Sequence, residues 1–104
     1  MKNVNIQLVR VKGKDMLEAI EAMKSDSQFV KQGDTVSWHS ATDSVEVFFR
    51  DGRSPQPPKM VVGDGETVTA KEIGTFTYDV RMVKQGGGPV EFFRGGGILV
   101  VEPL

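Results

Sequence analysis

The chain has 104 residues, of which 38% are hydrophobic and 26% are charged, and this composition is typical of one globular domain, 1–104, with a modest core. Its formal net charge of −1 creates no long-range field, so neither nucleic acid nor a membrane surface is an expected partner. The absence of cysteine excludes disulfides, thiol nucleophiles, zinc–thiolate sites and iron–sulfur clusters.

The N-terminal segment predicts a strand followed by a short helix. Apolar and polar residues alternate over residues 4–8, which is the period of a half-buried strand. Asp15 and Glu18 then have the spacing of a capping box, and apolar residues recur after them at helical spacing. These features predict one short helix over residues 15–23, packed on the rest of the domain.

No apolar run approaches the roughly 20 residues that a helix needs to span a bilayer. The first residues alternate like a strand and do not resemble a signal peptide. If the chain is complete, we expect a cytoplasmic protein. If a signal peptide has been removed, we expect a periplasmic or secreted one.

The remainder of the chain predicts short strands separated by closely spaced turns. This pattern is typical of an all-β Greek-key sandwich or barrel, here with about seven strands and the one inserted helix. The predicted strands lie at 29–30, 36–38, 45–49, 61–62, 67–69, 75–80 and 98–101, with turns at 31–34 and 63–66 and a proline-rich loop at 51–58.

Two runs of three glycines, at 86–88 and 95–97, flank the segment 90–94. A glycine-rich phosphate site would open onto a helix N-terminus, whereas each of these runs leads into a predicted strand. The glycines are therefore interpreted as loops or β-bulges.

Four stretches, in this order along the chain, resemble the cupredoxin family of small blue-copper proteins and their relatives. Residues 30–38 resemble its V-x-x-G-D-x-V-x-W segment, and residues 65–69 resemble its G-E-T-V segment. Residues 74–78 resemble its G-T-Y-x-Y strand, and residues 97–102 resemble its closing G-x-I-x-V strand. The resemblance implies a cupredoxin-like sandwich.

The resemblance also implies where copper would be held, and the chain departs from the family pattern there. Blue-copper sites combine two imidazoles, a thiolate and a long axial thioether. The thiolate position corresponds to Val80, and the histidine after it falls near Val83. The axial methionine falls among 95–97, and the upstream histidine at Ser44 or Val45. We therefore expect a domain without copper ligands and without a cofactor.

His39 is the one histidine of the chain. It directly follows Trp38, and the simplest interpretation is a solvated turn residue. The alternative is a copper-handling protein with a non-standard site in which His39 acts with Asp43 or Glu46. The serines near His39 lack a G-x-S-x-G nucleophile elbow, so no enzyme is predicted.

The segment between the glycine runs carries the predicted binding surface. Phe92 and Phe93 cannot both point into the core from one regular strand, because side chains alternate. With Arg81, Met82 and Arg94 nearby, an exposed ring would form part of an interface rich in aromatic, methionine and arginine residues. The alternative is that both rings are buried. The sequence thus predicts a non-catalytic, metal-free binding or protein-interaction module whose partner is another protein or a second copy.

Overall fold

The chain folds into strands that form two sheets. In the computed structural model the described residues contain nine strands. The described residues are 2–10, 17–19, 27–40, 44–83 and 91–104, with the backbone alone at 9–10, 17–19, 82–83 and 91–96. The strands are β1 (Asn3–Arg10), β2 (Leu17–Ala19), β3 (Gln28–Lys31), β4 (Thr35–Ser40), β5 (Ser44–Phe49), β6 (Val61–Val62), β7 (Val68–Thr69), β8 (Gly74–Val83) and β9 (Glu91–Glu102).

The two sheets have mixed strand directions. One has the order β2-β1-β4-β7, and the other has the order β3-β9-β8-β5-β6. The β1–β4 and β3–β9 pairs are parallel, and the remaining pairs are antiparallel. Consecutive strands therefore often belong to different sheets, as in a Greek-key sandwich. The predicted all-β sandwich is confirmed.

Period-two alternation places one apolar face of each sheet in a shared core. In β4, Val36 and Trp38 are buried, whereas His39, between Trp38 and the buried Ser40, is exposed. In β5, Val45 and Val47 are buried in the same alternating way. The turn before β4 is also as predicted, and Gly33 adopts a φ of 97° there, which a side chain would disfavour.

The helix predicted over residues 15–23 is wrong at Leu17–Ala19, where the structure has β2. This strand pairs antiparallel with β1, with Leu8 opposite Ala19. The pairing satisfies backbone groups on a side of β1 that would otherwise be an open edge. Because an isolated short helix is only marginally stable, such tertiary pairing can override its local preference. The rest of the predicted helix lies outside the described residues.

Asp34 connects the two sheets at one end of the sandwich. Its carboxylate accepts backbone N–H bonds from Lys2, which precedes β1, and from Lys31 in β3, both at 2.9 Å. These two bonds lower the pKa of Asp34 below that of a free aspartate, and the bond from Lys2 has the larger effect. The carboxylate therefore helps to fix the turn between β3 and β4.

In the part of the chain that the structure describes, no helix is long and apolar enough to cross a bilayer.

Candidate functional site

The position that corresponds to the copper-binding thiolate is packed with aliphatic side chains. Val80 is 1% exposed and lies opposite Val47 of β5 on one side and Gly95 of β9 on the other. Val45, one of the two positions for the upstream histidine, is equally buried. Ser44 begins β5 in a half-buried position. Val80 and Val45 contribute packing here, and neither carries a metal-binding atom.

The glycine run 95–97 lies inside β9, where Gly97 provides room for an aromatic ring. Gly97 is paired opposite Tyr78 of β8. A Cβ atom at Gly97 would lie 2.6 Å from Cζ of Tyr78, far inside van der Waals contact. A methionine at this position would displace the ring. The residues at Val80, Val45 and Gly97 therefore do not fit a type 1 copper ion, and the side chain of Val83 lies outside the described residues.

Three aromatic rings from both sheets meet in the core beside these positions. Trp38 lies 5.2 Å from Tyr78 and 5.9 Å from Phe49 between ring centroids, and both pairs are edge-to-face. Phe49 and Tyr78 are also paired across β5 and β8. Burial raises the pKa of Tyr78, and the nearby Trp38 indole offsets part of this rise. The Tyr78 hydroxyl is therefore protonated at neutral pH.

His39 is exposed on the outer face of the four-stranded sheet, where its neighbour across β1 and β4 is Gln7. Glu46, one of the acidic residues considered as its co-ligand, lies on the outer face of the other sheet. The sandwich thus separates these two side chains, and Asp43 lies outside the described residues. Within the described ranges, no group of three His, Cys, Asp or Glu side chains could hold a metal ion.

The outer face of the five-stranded sheet carries a network centred on Arg81. This guanidinium lies 2.9 Å from the carboxylate of Glu46, its partner across β5 and β8. It also lies over the ring of Phe48, 4.0 Å from the ring centroid. Next to this group, the side chain of Arg50 donates to Asp79 at 2.6 Å, and this hydrogen bond raises the pKa of Arg50. We call these five residues the ion-pair face.

Of the five predicted binding residues, the structure describes the side chain of Arg81 alone. Phe92 is paired with Arg81 through the backbone, and Met82 with Glu91. The next pair is Val80 with Gly95, so Phe93 and Arg94 form a bulge in β9. The side chains of Met82, Phe92, Phe93 and Arg94 lie outside the described residues, and their role remains a prediction.

The pairing of Arg50 with Asp79 and the packing of Arg81 over Phe48 were not predicted from the sequence. The alternation of β5 places Glu46 and Phe48 at outward positions, and the exposed Arg50 directly follows this strand. That signal shows which face they occupy, but their partners on β8 depend on the register of strands far apart in sequence.

No known protein-family model matches the chain, and no curated protein sequence does. Solved structures do match it. A pseudoazurin from Sinorhizobium meliloti superposes with a TM-score of 0.62 at 19% identity, over 99% of this chain and 76% of that one. A variant of amicyanin in its reduced Cu(I) form gives 0.60 at 18% identity, over 96% of this chain and 82% of that one.

A second amicyanin variant, in its oxidized form, gives a TM-score of 0.53 at 17% identity, over 96% of this chain and 82% of that one. These matches extend over almost the whole chain. The chain has a cupredoxin-like fold. At this identity the likeness concerns the fold alone.

Proposed function

We propose that the protein is a non-catalytic, metal-free interaction domain that binds another protein through the ion-pair face. The observation that carries the proposal is the arrangement of Arg81, held between the carboxylate of Glu46 and the ring of Phe48. Arginine and aromatic side chains are the residues that contribute most often to the centres of protein interfaces.

The fixed position of Arg81 favours binding because less side-chain freedom is lost on contact. Its side chain is 22% exposed, so it can still be reached from solvent. The salt bridge by itself contributes little to stability at a partly exposed position. Its main effect is therefore to orient the guanidinium.

An apolar side chain adjoins the ion-pair face on the same sheet. Val61 of β6 is 40% exposed and lies opposite Phe48. An interface that covered Val61 would bury apolar area together with the oriented arginine.

The metal-free part of the proposal is supported by the packed ligand positions. Val80 and Val45 have no coordinating atoms, and the ring of Tyr78 occupies the space beside Gly97. The Cu(I) of the amicyanin variant is therefore a property of that protein that we do not extend to this chain. We propose that the sandwich serves as a scaffold that presents the ion-pair face.

A second copy of the chain is the partner with which the proposal can be tested directly. We expect the wild-type protein to associate with rising concentration in sedimentation velocity, and Arg81→Ala to weaken this association about tenfold. The matched control is Arg53→Ala, because Arg53 also lies over an aromatic ring, that of Phe76 at 5.5 Å, but outside the ion-pair face. If the two substitutions weakened self-association equally, the interface would not be located at the ion-pair face.

Substitutions at Phe92 and Phe93 test whether their end of the sandwich also takes part in self-association. We expect Phe92→Ser or Phe93→Ser to reduce self-association while the far-ultraviolet spectrum and the cooperative unfolding transition are retained. If both variants lose cooperative unfolding instead, the rings belong to the core and the interface excludes this end. A wild-type protein that stays monomeric at every concentration would rule out a second copy as the partner.

A further inference from the structure

A concave site of about 240 Å³ lies where the proline-rich loop at 51–58 meets the start of β8. The loop contributes Arg53 and Pro57 to its lining, and the segment that enters β8 contributes Glu72, Ile73 and Phe76. The lining includes no residue of the ion-pair face, so the two surfaces are distinct. We call this site the Arg53 pocket.

Hydrogen bonds hold the two segments of the Arg53 pocket against each other. The carbonyl oxygen of Pro55 in the loop accepts the backbone N–H groups of Lys71 and Glu72, at 2.9 and 3.0 Å. Within the loop, the buried hydroxyl of Ser54 accepts the backbone N–H of Gln56 at 3.1 Å. The pocket is therefore formed before a ligand arrives, and binding would lose little conformational freedom of the backbone.

One part of the pocket combines an aromatic ring with a guanidinium. The side chain of Arg53 lies over the ring of Phe76, 5.5 Å from the ring centroid. Gly74 leaves room for this contact, because a Cβ atom there would lie only 3.3 Å from Nη2 of Arg53. The φ of Gly74, 146°, is also one that other residues rarely adopt. A guanidinium that rests on a ring still presents its N–H edge, so Arg53 can bind a carboxylate through two parallel hydrogen bonds.

The other part of the pocket is acidic and apolar. Glu72 is exposed, and the adjacent Ile73 is 52% exposed. Neither Arg53 nor Glu72 takes part in an ion pair within the part of the chain that the structure describes. The pocket thus offers one cationic and one anionic residue that do not neutralise each other, with apolar surface of Ile73 and Pro57 beside them.

We propose that the Arg53 pocket binds a free α-amino acid with an apolar side chain. Arg53 binds the carboxylate of the ligand, Glu72 accepts its ammonium group, and the apolar side chain packs against Ile73 and Pro57. Charge complementarity favours this class over a simple anion, which Glu72 would repel, and over a simple cation, which Arg53 would repel. Pockets for drug-sized ligands measure about 300–1,000 Å³. The smaller volume here suits a molecule of the size of leucine.

A titration of the wild-type protein with L-leucine, followed by nuclear magnetic resonance, tests the proposal. We expect saturable shifts of the backbone amide signals of residues 52–54 and 72–76, with a dissociation constant on the order of 1 mM. N-acetyl-leucine lacks the ammonium group, leucinamide lacks the carboxylate and glycine lacks the apolar side chain, so each should bind about tenfold more weakly. The absence of shifts with L-leucine, or equally tight binding of any of these three compounds, would overturn the proposal.

Substitutions at the two charged residues test their roles separately. Arg53→Gln and Glu72→Gln should each weaken the binding of L-leucine about tenfold, because each removes one charged contact. The matched control is Lys71→Gln, since Lys71 is an exposed cation next to Glu72 that does not line the pocket. Amide signals far from the pocket should keep their wild-type positions in all three variants, which verifies the fold. Wild-type affinity in Arg53→Gln or Glu72→Gln, or an equal loss in Lys71→Gln, would overturn the proposal.

Discussion

The inner and outer faces of β8 differ sharply although their residues alternate along one strand. On the inner face, Tyr78 and Val80 are each 1% exposed and contact the opposite sheet or neighbouring strands. On the outer face, Arg81 forms an ion pair with Glu46 of β5, Asp79 forms one with Arg50 just after that strand, and both remain partly accessible. In the family pattern the inner face supplies a thiolate at Val80. Here the inner face contributes packing, and the chemically versatile side chains lie outside.

The largest effect expected is at the centre of the inner face. Val80→Ala removes two methyl groups from a fully buried position, and we expect a loss of about 2–3 kcal/mol in the free energy of unfolding. Thr75→Ala on the exposed outer side of β8 should cost less than about 1 kcal/mol. Urea unfolding of both variants measures the difference. Similar losses would show that the two faces are not energetically distinct.

The second effect concerns the glycine that admits the tyrosine ring. Gly97→Ala should cost about 1–3 kcal/mol, because the new methyl group and the ring of Tyr78 cannot occupy the same space. Adding Tyr78→Leu should relieve part of this loss, so the two changes should combine non-additively in a double-mutant cycle measured by thermal unfolding. Strict additivity would indicate that Gly97 is required for another reason.

The third effect is the coupling across the outer face. A double-mutant cycle of Glu46→Gln and Arg81→Gln should give a coupling of about 0.2–1 kcal/mol, as partly exposed ion pairs usually do. The coupling should fall in high salt, whereas the losses at Val80 and Gly97 should not. Urea unfolding at two salt concentrations checks both statements. If salt did not reduce the coupling, the Glu46–Arg81 pair would be shielded from solvent, as the side chains of the inner face are.

A pH-dependent effect is expected at the connection between the sheets. Because the folded protein lowers the pKa of Asp34, its carboxylate stabilises the fold above the pKa of an unfolded aspartate. This contribution is lost as the pH falls through the lowered pKa. The stability difference between the wild type and Asp34→Asn should therefore be present at neutral pH and shrink in acid. Thermal unfolding across that range tests it, and a constant difference would contradict the assignment.

The sequence predicted the fold best where local pattern and tertiary position agree. The alternation in β4 and β5, and the turn at Gly33, are local signals, and the structure confirms them. Prediction failed at Leu17–Ala19, because pairing with β1 outweighs a local helical preference. The Arg50–Asp79 pair could not be predicted from the sequence for a related reason. It depends on the register of β5 and β8, which are distant along the chain.

The bonds accepted by Asp34 have a practical consequence for anyone who shortens or tags this protein. One of its two donors is the backbone of the second residue in the chain, Lys2. Trimming the N-terminus by two residues would remove that donor and leave the carboxylate bound to Lys31 alone. A fusion partner is therefore better attached through a spacer that keeps Lys2 in place.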